Sequence, residues 1–222
     1  MKLHLALLTE GSKTNWMRGY SDAIAAVRWA LEDLGHDVTS GVNQLSPDRR
    51  SILFGGHLIP EQLHARLRPD TIFYNLNRTN GPNHEGLRSQ LSRLSAKFRL
   101  WDCDESSAAA VPGSRLVPLG FAPVLRRIAV PEQQDIDAVL IGVPTTARLK
   151  LFQSLVIYRS RCVFAHGLFG DLRDELIGRA KVVLAIVDER SNAAPAVRFN
   201  FLLANGKAVV STLTEGNRIA EA

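Results

Sequence analysis

The stretch Val197-Arg198-Phe199-Asn200-Phe201-Leu202-Leu203-Ala204-Asn205-Gly206-Lys207-Ala208-Val209-Val210-Ser211 decides the fold class. Residues 197–204 are mostly apolar over the length of a helix, Asn205-Gly206 is a pair at which a left-handed stop is easy, and residues 208–211 read as a short buried strand. Helix, stop and β-branched strand in that order make half of an α/β unit. Packing accounts for the apolar residues but not for Arg198 and Asn200. Both stand at the start of the helix, where outward-pointing N–H groups favour an anion such as phosphate.

Toward the N-terminus the same alternation repeats. Residues 137–142 read as a strand, 146–158 as a helix, 161–164 as a strand, 171–180 as a helix and 182–187 as a strand. A proline-rich segment, 118–131, followed by Glu132-Gln133-Gln134-Asp135, has the composition of a connection between domains. Beyond it, strands are expected at 3–8, 51–57, 71–77, 98–101 and 116–119, with "Leu-Gly-His-Asp-Val-Thr" as a further strand start. Helices are expected at 20–34, 61–67, 87–94 and 104–111; the first carries Ile24, Val27, Leu31 and Leu34 on one face and Gly35 as its stop. Such alternation predicts α/β architecture with parallel sheets covered on both faces. It divides into two Rossmann-like units, residues 1–125 and 126–222, the second short at its C-terminus.

At 222 residues and 45% hydrophobic content the chain can bury sizeable cores. Cys103 and Cys162 lie far apart without metal-ligand neighbours, so neither a disulfide framework nor a zinc site is suggested and a reduced, cytoplasmic setting is expected. No apolar run approaches the roughly 18 residues of a membrane span. Twenty-seven basic against 22 acidic residues give a formal charge of +5. That excess suits an anionic small ligand as well as nucleic acid. No basic and aromatic stripe supports nucleic acid.

Leu202-Leu203-Ala204-Asn205-Gly206-Lys207-Ala208-Val209-Val210-Ser211 resembles the donor-site segment of GT-B glycosyltransferases, where a run of the form E-A-x-A-x-G-x-P-V-V follows the nucleotide-sugar pocket. "Ile-Leu-Phe-Gly-Gly-His-Leu" at 52–58, "Asp-Thr-Ile-Phe-Tyr-Asn-Leu" at 70–76 and "Val-Pro-Leu-Gly-Phe-Ala-Pro-Val-Leu" at 117–125 resemble segments of small bacterial proteins of that kind. The resemblance implies two Rossmann-like domains with a cleft between them. It also implies transfer of a sugar from a nucleoside-diphosphate sugar to an unidentified acceptor, the C-terminal unit holding the donor, with no metal and no further cofactor. Retaining families of this kind carry two glutamates before the glycine run, the second gripping the donor ribose; this chain has Ala193 and Phe201 there. A catalytically silent nucleotide- or protein-binding member, or an enzyme acting on modified DNA bases, is the alternative.

Site residues follow from these two readings together. Residues 9–16 form a polar loop at a strand end, the place where open α/β sheets hold ligands, and lack the G-x-G-x-x-G fingerprint. Glu10 in that loop and His57 behind two glycines are the candidate general bases, since a near-neutral imidazole suits proton transfer; a structural role is the alternative for His57. Asn75 and Asn77 are expected on the acceptor side. Gly142, Thr145, Thr146 and Arg148 open a helix and suit a diphosphate, with a threonine N-cap as the plainer reading. His166 and Gly167 line the nucleotide base or make a turn, and Arg198 and Asn200 complete the donor set. Asp102-Cys103-Asp104 spells D-x-D, a metal motif in another glycosyltransferase architecture, but its place before a helix suits capping.

Overall fold

A computed structural model describes residues 1–9, 19–79, 82–129, 131–157, 160–186 and 195–212. Two fully parallel sheets carry the fold. The first comprises β1 (Lys2–Leu7), β2 (Asp37–Val42), β3 (Arg50–Phe54), β4 (Ile72–Asn75), β5 (Arg99–Asp102) and β6 (Ser114–Leu116), ordered β2-β1-β3-β4-β5-β6. The second comprises β7 (Ile136–Ile141), β8 (Cys162–Ala165), β9 (Ala180–Ala185) and β10 (Ala208–Ser211), ordered β10-β9-β7-β8. The helices are α1 (Ser21–Asp33), α2 (Glu85–Ser95), α3 (Glu105–Ala110), α4 (Thr146–Ile157), α5 (Asp171–Arg179) and α6 (Pro195–Ala204). This is α/β architecture in two Rossmann-like units.

Strand order fixes where each unit can hold a ligand. From β1 the chain steps to β2 on one side and then to β3 on the other, so the order reverses between β1 and β3. From β7 it steps to β8 and then to β9 on the opposite side, so the second reversal lies between β7 and β9. Connections diverging from such a point leave a crevice outside the carboxyl ends of the two strands. His57 follows β3 directly, and Gly142 follows β7.

The organising stretch folds as its residues dictate. Gly206 has φ +63, the left-handed stop expected of it. Asn205 does more than end the helix. Its amide oxygen accepts from Arg127 N (2.9 Å) and Ile128 N (2.8 Å), while its nitrogen donates to Leu125 O and Phe201 O (both 2.8 Å). The connection between the sheets is thereby fastened to α6. Lys207 is buried, its ammonium donating to Ala180 O at 2.7 Å where α5 passes into β9.

α6 is shared by two cores. Val197 packs with Leu5, Tyr20, Ile52 and Tyr74 of the first unit, whereas Phe201 and Leu202 pack with Val139, Ile177 and Val183 of the second. Ala26 and Trp29 of α1 reciprocate by joining the second core. At roughly 1.5–3 kcal/mol for each large apolar side chain fully buried, this exchange holds the two units against each other.

Two local expectations need correction. The strand placed at 116–119 lies at Ser114–Leu116, because Val117 leaves the ladder after its N–H reaches Asp102 O at 2.8 Å. The run at 51–57 stops as a strand at Phe54. Gly55 turns with φ +79, and residues 56–58 form a 3₁₀ turn. A Cβ at Gly56 would meet Phe73 Cδ1 at 2.0 Å, so this turn sits too close to β4 for any side chain.

Candidate functional site

At the second crevice, three elements converge on Gly142. A Cβ placed there would lie 3.0 Å from Arg148 Nη1 and 3.5 Å from Arg198 Nη2, which puts both guanidinium groups against the carboxyl end of β7. Their roles differ. Arg148 is buried, and its Nε and Nη2 donate to Ile186 O at 3.2 and 2.9 Å while Nη1 donates to Val143 O at 3.0 Å. It thus ties the end of β9 to the loop after β7 while holding its charge at the crevice where a diphosphate is expected.

Arg198 is partly buried on the first turn of α6 and makes no hydrogen bond or ion pair with the described residues. Burial first, then the nearby Arg148 and Arg173, push its guanidinium down to about 10. A group that strongly basic is shifted only where water is scarce and negative charge is lacking. Arg148 and Arg198 together concentrate positive charge beside Gly142.

The remaining donor-side expectations are placed as follows. Thr145 stands just before α4, its carbonyl accepting from Leu149 N at 2.9 Å and its hydroxyl lying 3.4 Å from Arg148 N, which is N-cap geometry. Thr146 is exposed at the first helical position, and Asn200 is half-buried on α6. His166 and Gly167 are exposed beyond β8, with His166 Nδ1 3.2 Å from Gly142 O and Gly167 at φ +73, a turn that touches the same crevice.

On the first unit, His57 is half-buried in the 3₁₀ turn after β3, and burial lowers its imidazole below the ordinary value of 6.5. It is neutral at pH 7 and competent to accept a proton. Glu10, the competing base, lies outside the described residues. Asn75 and Asn77 do not present free amides. Asn75 Nδ2 donates to Asp102 Oδ2 (2.7 Å) and Asn77 O (2.8 Å), and Asn77 Oδ1 accepts from the Tyr20 hydroxyl (2.5 Å). Both are buried, so the acceptor-side expectation becomes one of internal polar support. Asp102, enclosed in the same network, is pushed up to about 7 chiefly by burial. Asp104 accepts from Ser107 N at 2.9 Å and caps α3, the plainer of the two D-x-D readings. Among the described residues no group of three metal-ligating side chains comes together.

Sequence reasoning missed a charged ring between the units. Asp22 Oδ2 accepts from Arg173 Nη1 (2.6 Å) and its Oδ1 from Arg127 Nη2 (2.5 Å); Asp174 accepts from Arg127 Nε (2.9 Å) and Arg173 Nη2 (2.6 Å). Phe201 lies beneath both arginines, with guanidinium carbons 4.6 and 4.2 Å from its ring centre. Where the resemblance implies a ribose-gripping carboxylate, this chain therefore has an aromatic ring under two cations. The available signal was Asp22 in the first turn of a helix, which reads equally as a partner for the helix dipole.

No protein-family model matches the sequence, and no curated protein matches it. Among solved structures the chain is similar to the crystal structure of AviGT4, a glycosyltransferase involved in avilamycin A biosynthesis, with a TM-score of 0.55 and 16% identity over 99% of this chain and 80% of that one. The likeness is one of fold: this chain has GT-B-like architecture. No helix among the described residues is long and apolar enough to cross a membrane.

Proposed function

We propose that the protein is a glycosyltransferase that moves a sugar from a nucleoside-diphosphate sugar to an acceptor hydroxyl. The observation that carries this reading is Arg198, a partly buried cation without a carboxylate partner among the described residues, set beside Gly142 where the second sheet reverses order. A diphosphate there supplies the missing negative charge. In the transfer, the acceptor oxygen bonds to the anomeric carbon, the bond from that carbon to the diphosphate breaks, and the hydroxyl proton passes to His57. Arg198 stabilises the leaving diphosphate as its charge grows.

A second reading has its own observation. Phe201 and its two arginines stand where ribose recognition is implied by the resemblance, which favours a member that binds nucleotide without turnover. Donor hydrolysis and transfer measured with a panel of nucleotide sugars separate the two. If His57 is the base, His57→Ala lowers turnover by about 10² to 10⁴ with donor affinity unchanged. An unchanged rate in the folded variant removes His57 from the chemistry, and no turnover with any donor favours the binder.

A further inference from the structure

We propose that the cavity between residues 56–64 and the second half of α2 binds a small molecule bearing an oxyanion, phosphate or carboxylate, and that Arg93 holds that group. The cavity measures about 430 Å³, within the range of small-molecule sites. Leu58 and Leu94 give it apolar walls, and His57, His64, Gln90 and Arg93 give it polar ones.

Its charge is unbalanced in one direction. Glu61 is the one carboxylate among the described lining residues; it is engaged by Lys97 at 2.9 Å, with the charge of Arg93 acting on it from farther off, so two cations face one anion. Arg93, exposed on the last turn of α2, makes no hydrogen bond or ion pair with the described residues. Support of the helix dipole is a sufficient reason for a cation in that turn, but it requires neither a cavity nor the histidines. His64 is buried against Phe98, and neither of its ring nitrogens has a hydrogen-bond partner among the described residues. A fold built for packing alone seldom leaves such a ring unsatisfied. Burial keeps His57 neutral at pH 7, so its ring offers one donor and one acceptor instead of a second cation.

The topology gives the ligand a direction. β3 delivers His57 to the carboxyl edge of the sheet, and α2, joining the parallel strands β4 and β5, runs back toward the opposite edge. One end of the ligand then lies at the crevice beside His57, and its oxyanion lies farther along the flank at Arg93. Read with the transferase assignment, on which this extension rests, the ligand is the acceptor and the acceptor is an anionic molecule. The site itself stands without that assignment.

The test follows the histidine ring ¹H–¹⁵N resonances of the full chain during titration with inorganic phosphate and, separately, with succinate. The expected result is a saturable shift of His57 and His64 with one of the two probes, which identifies the oxyanion. Arg93→Gln, at an exposed position, weakens that response at least fivefold, and Arg198→Ala leaves it unchanged. No saturable shift with either probe overturns the proposal, as does a response that Arg93→Gln does not weaken. Nucleoside diphosphate affinity is measured on the same samples. Its absence beside an intact His57 and His64 response removes the transferase reading and leaves this site in place.

Discussion

Two groups of arginines lie within a few residues of α6, and they teach opposite lessons. Arg127 and Arg173 stand opposite Asp22 and Asp174 in a closed ring of alternating charge, two cations against two anions, seated on Phe201. Arg198, one turn before Phe201 on α6, has no carboxylate among the described residues, and burial first, then the nearby Arg148 and Arg173, lower its basicity. The ring is complete within the chain and joins the two units. Arg198 has no such partner among the described residues, and a bound anion would balance it. Residue type is equal in the two places; charge balance separates a structural cation from a binding one.

The sharpest way to break this comparison is to unbalance the ring. Asp22→Ala leaves Arg127 and Arg173 with half of their negative charge, and removing one partner of a buried network costs on the order of 3 kcal/mol, the exposed third of Arg127 keeping the figure at the low end. Denaturant unfolding measures it. A loss under about 1 kcal/mol would mean that the ring is solvated and that the contrast with Arg198 is one of degree.

Phe201→Leu is a milder disturbance. It keeps an apolar side chain in the second core and removes the aromatic face beneath two guanidinium groups, at about 0.5–1 kcal/mol for each contact plus the packing change. The expected total is about 1–2 kcal/mol in the same unfolding assay. A neutral substitution would show that the arginines are placed by the aspartates alone.

The buried network of the first unit supplies a pH test. Asp102 has its folded-state value raised to about 7 from 3.8, so the folded protein binds the extra proton between those values. Its contribution to stability is present below the unfolded value and is lost as pH rises through about 7. His57 and His84 are lowered by burial and act in the other direction, costing stability as pH falls below about 6.5. Because these groups act oppositely between pH 6 and 7, the test is a difference: from pH 6 to 8 the wild type should lose stability relative to Asp102→Asn, in which the histidine contribution is the same. A difference that does not change with pH assigns the titration to another group.

Much of the fold was legible because it rests on local patterns. Alternating apolar segments with Gly35 and Gly206 as stops gave the order of strands and helices, and the resemblance around residues 202–211 gave the architecture. The missing parts depend on residues that meet across the sequence. Asp22 and Arg173 are 151 positions apart, and no spacing rule brings them together. Asn75 and Asn77 read as polar residues at a strand end in either case; only the positions of Tyr20 and Asp102 show them turned inward. Arg148 reads from the sequence as a cation at a helix start, but the carbonyl of Ile186 to which it donates belongs to another strand end. His64 gave no pattern at all, since its interest lies in having no hydrogen-bond partner among the described residues.

The diphosphate assignment of the second crevice rests on Arg198. Calorimetric titration of the wild type and Arg198→Ala with several nucleoside diphosphates is the decisive measurement. A charge-assisted contact of roughly 1.5–3 kcal/mol predicts a loss of about ten- to a hundredfold in affinity, at 1.4 kcal/mol per decade, with folding stability little changed. Equal affinities in the two proteins would contradict the assignment of the second crevice as a diphosphate site.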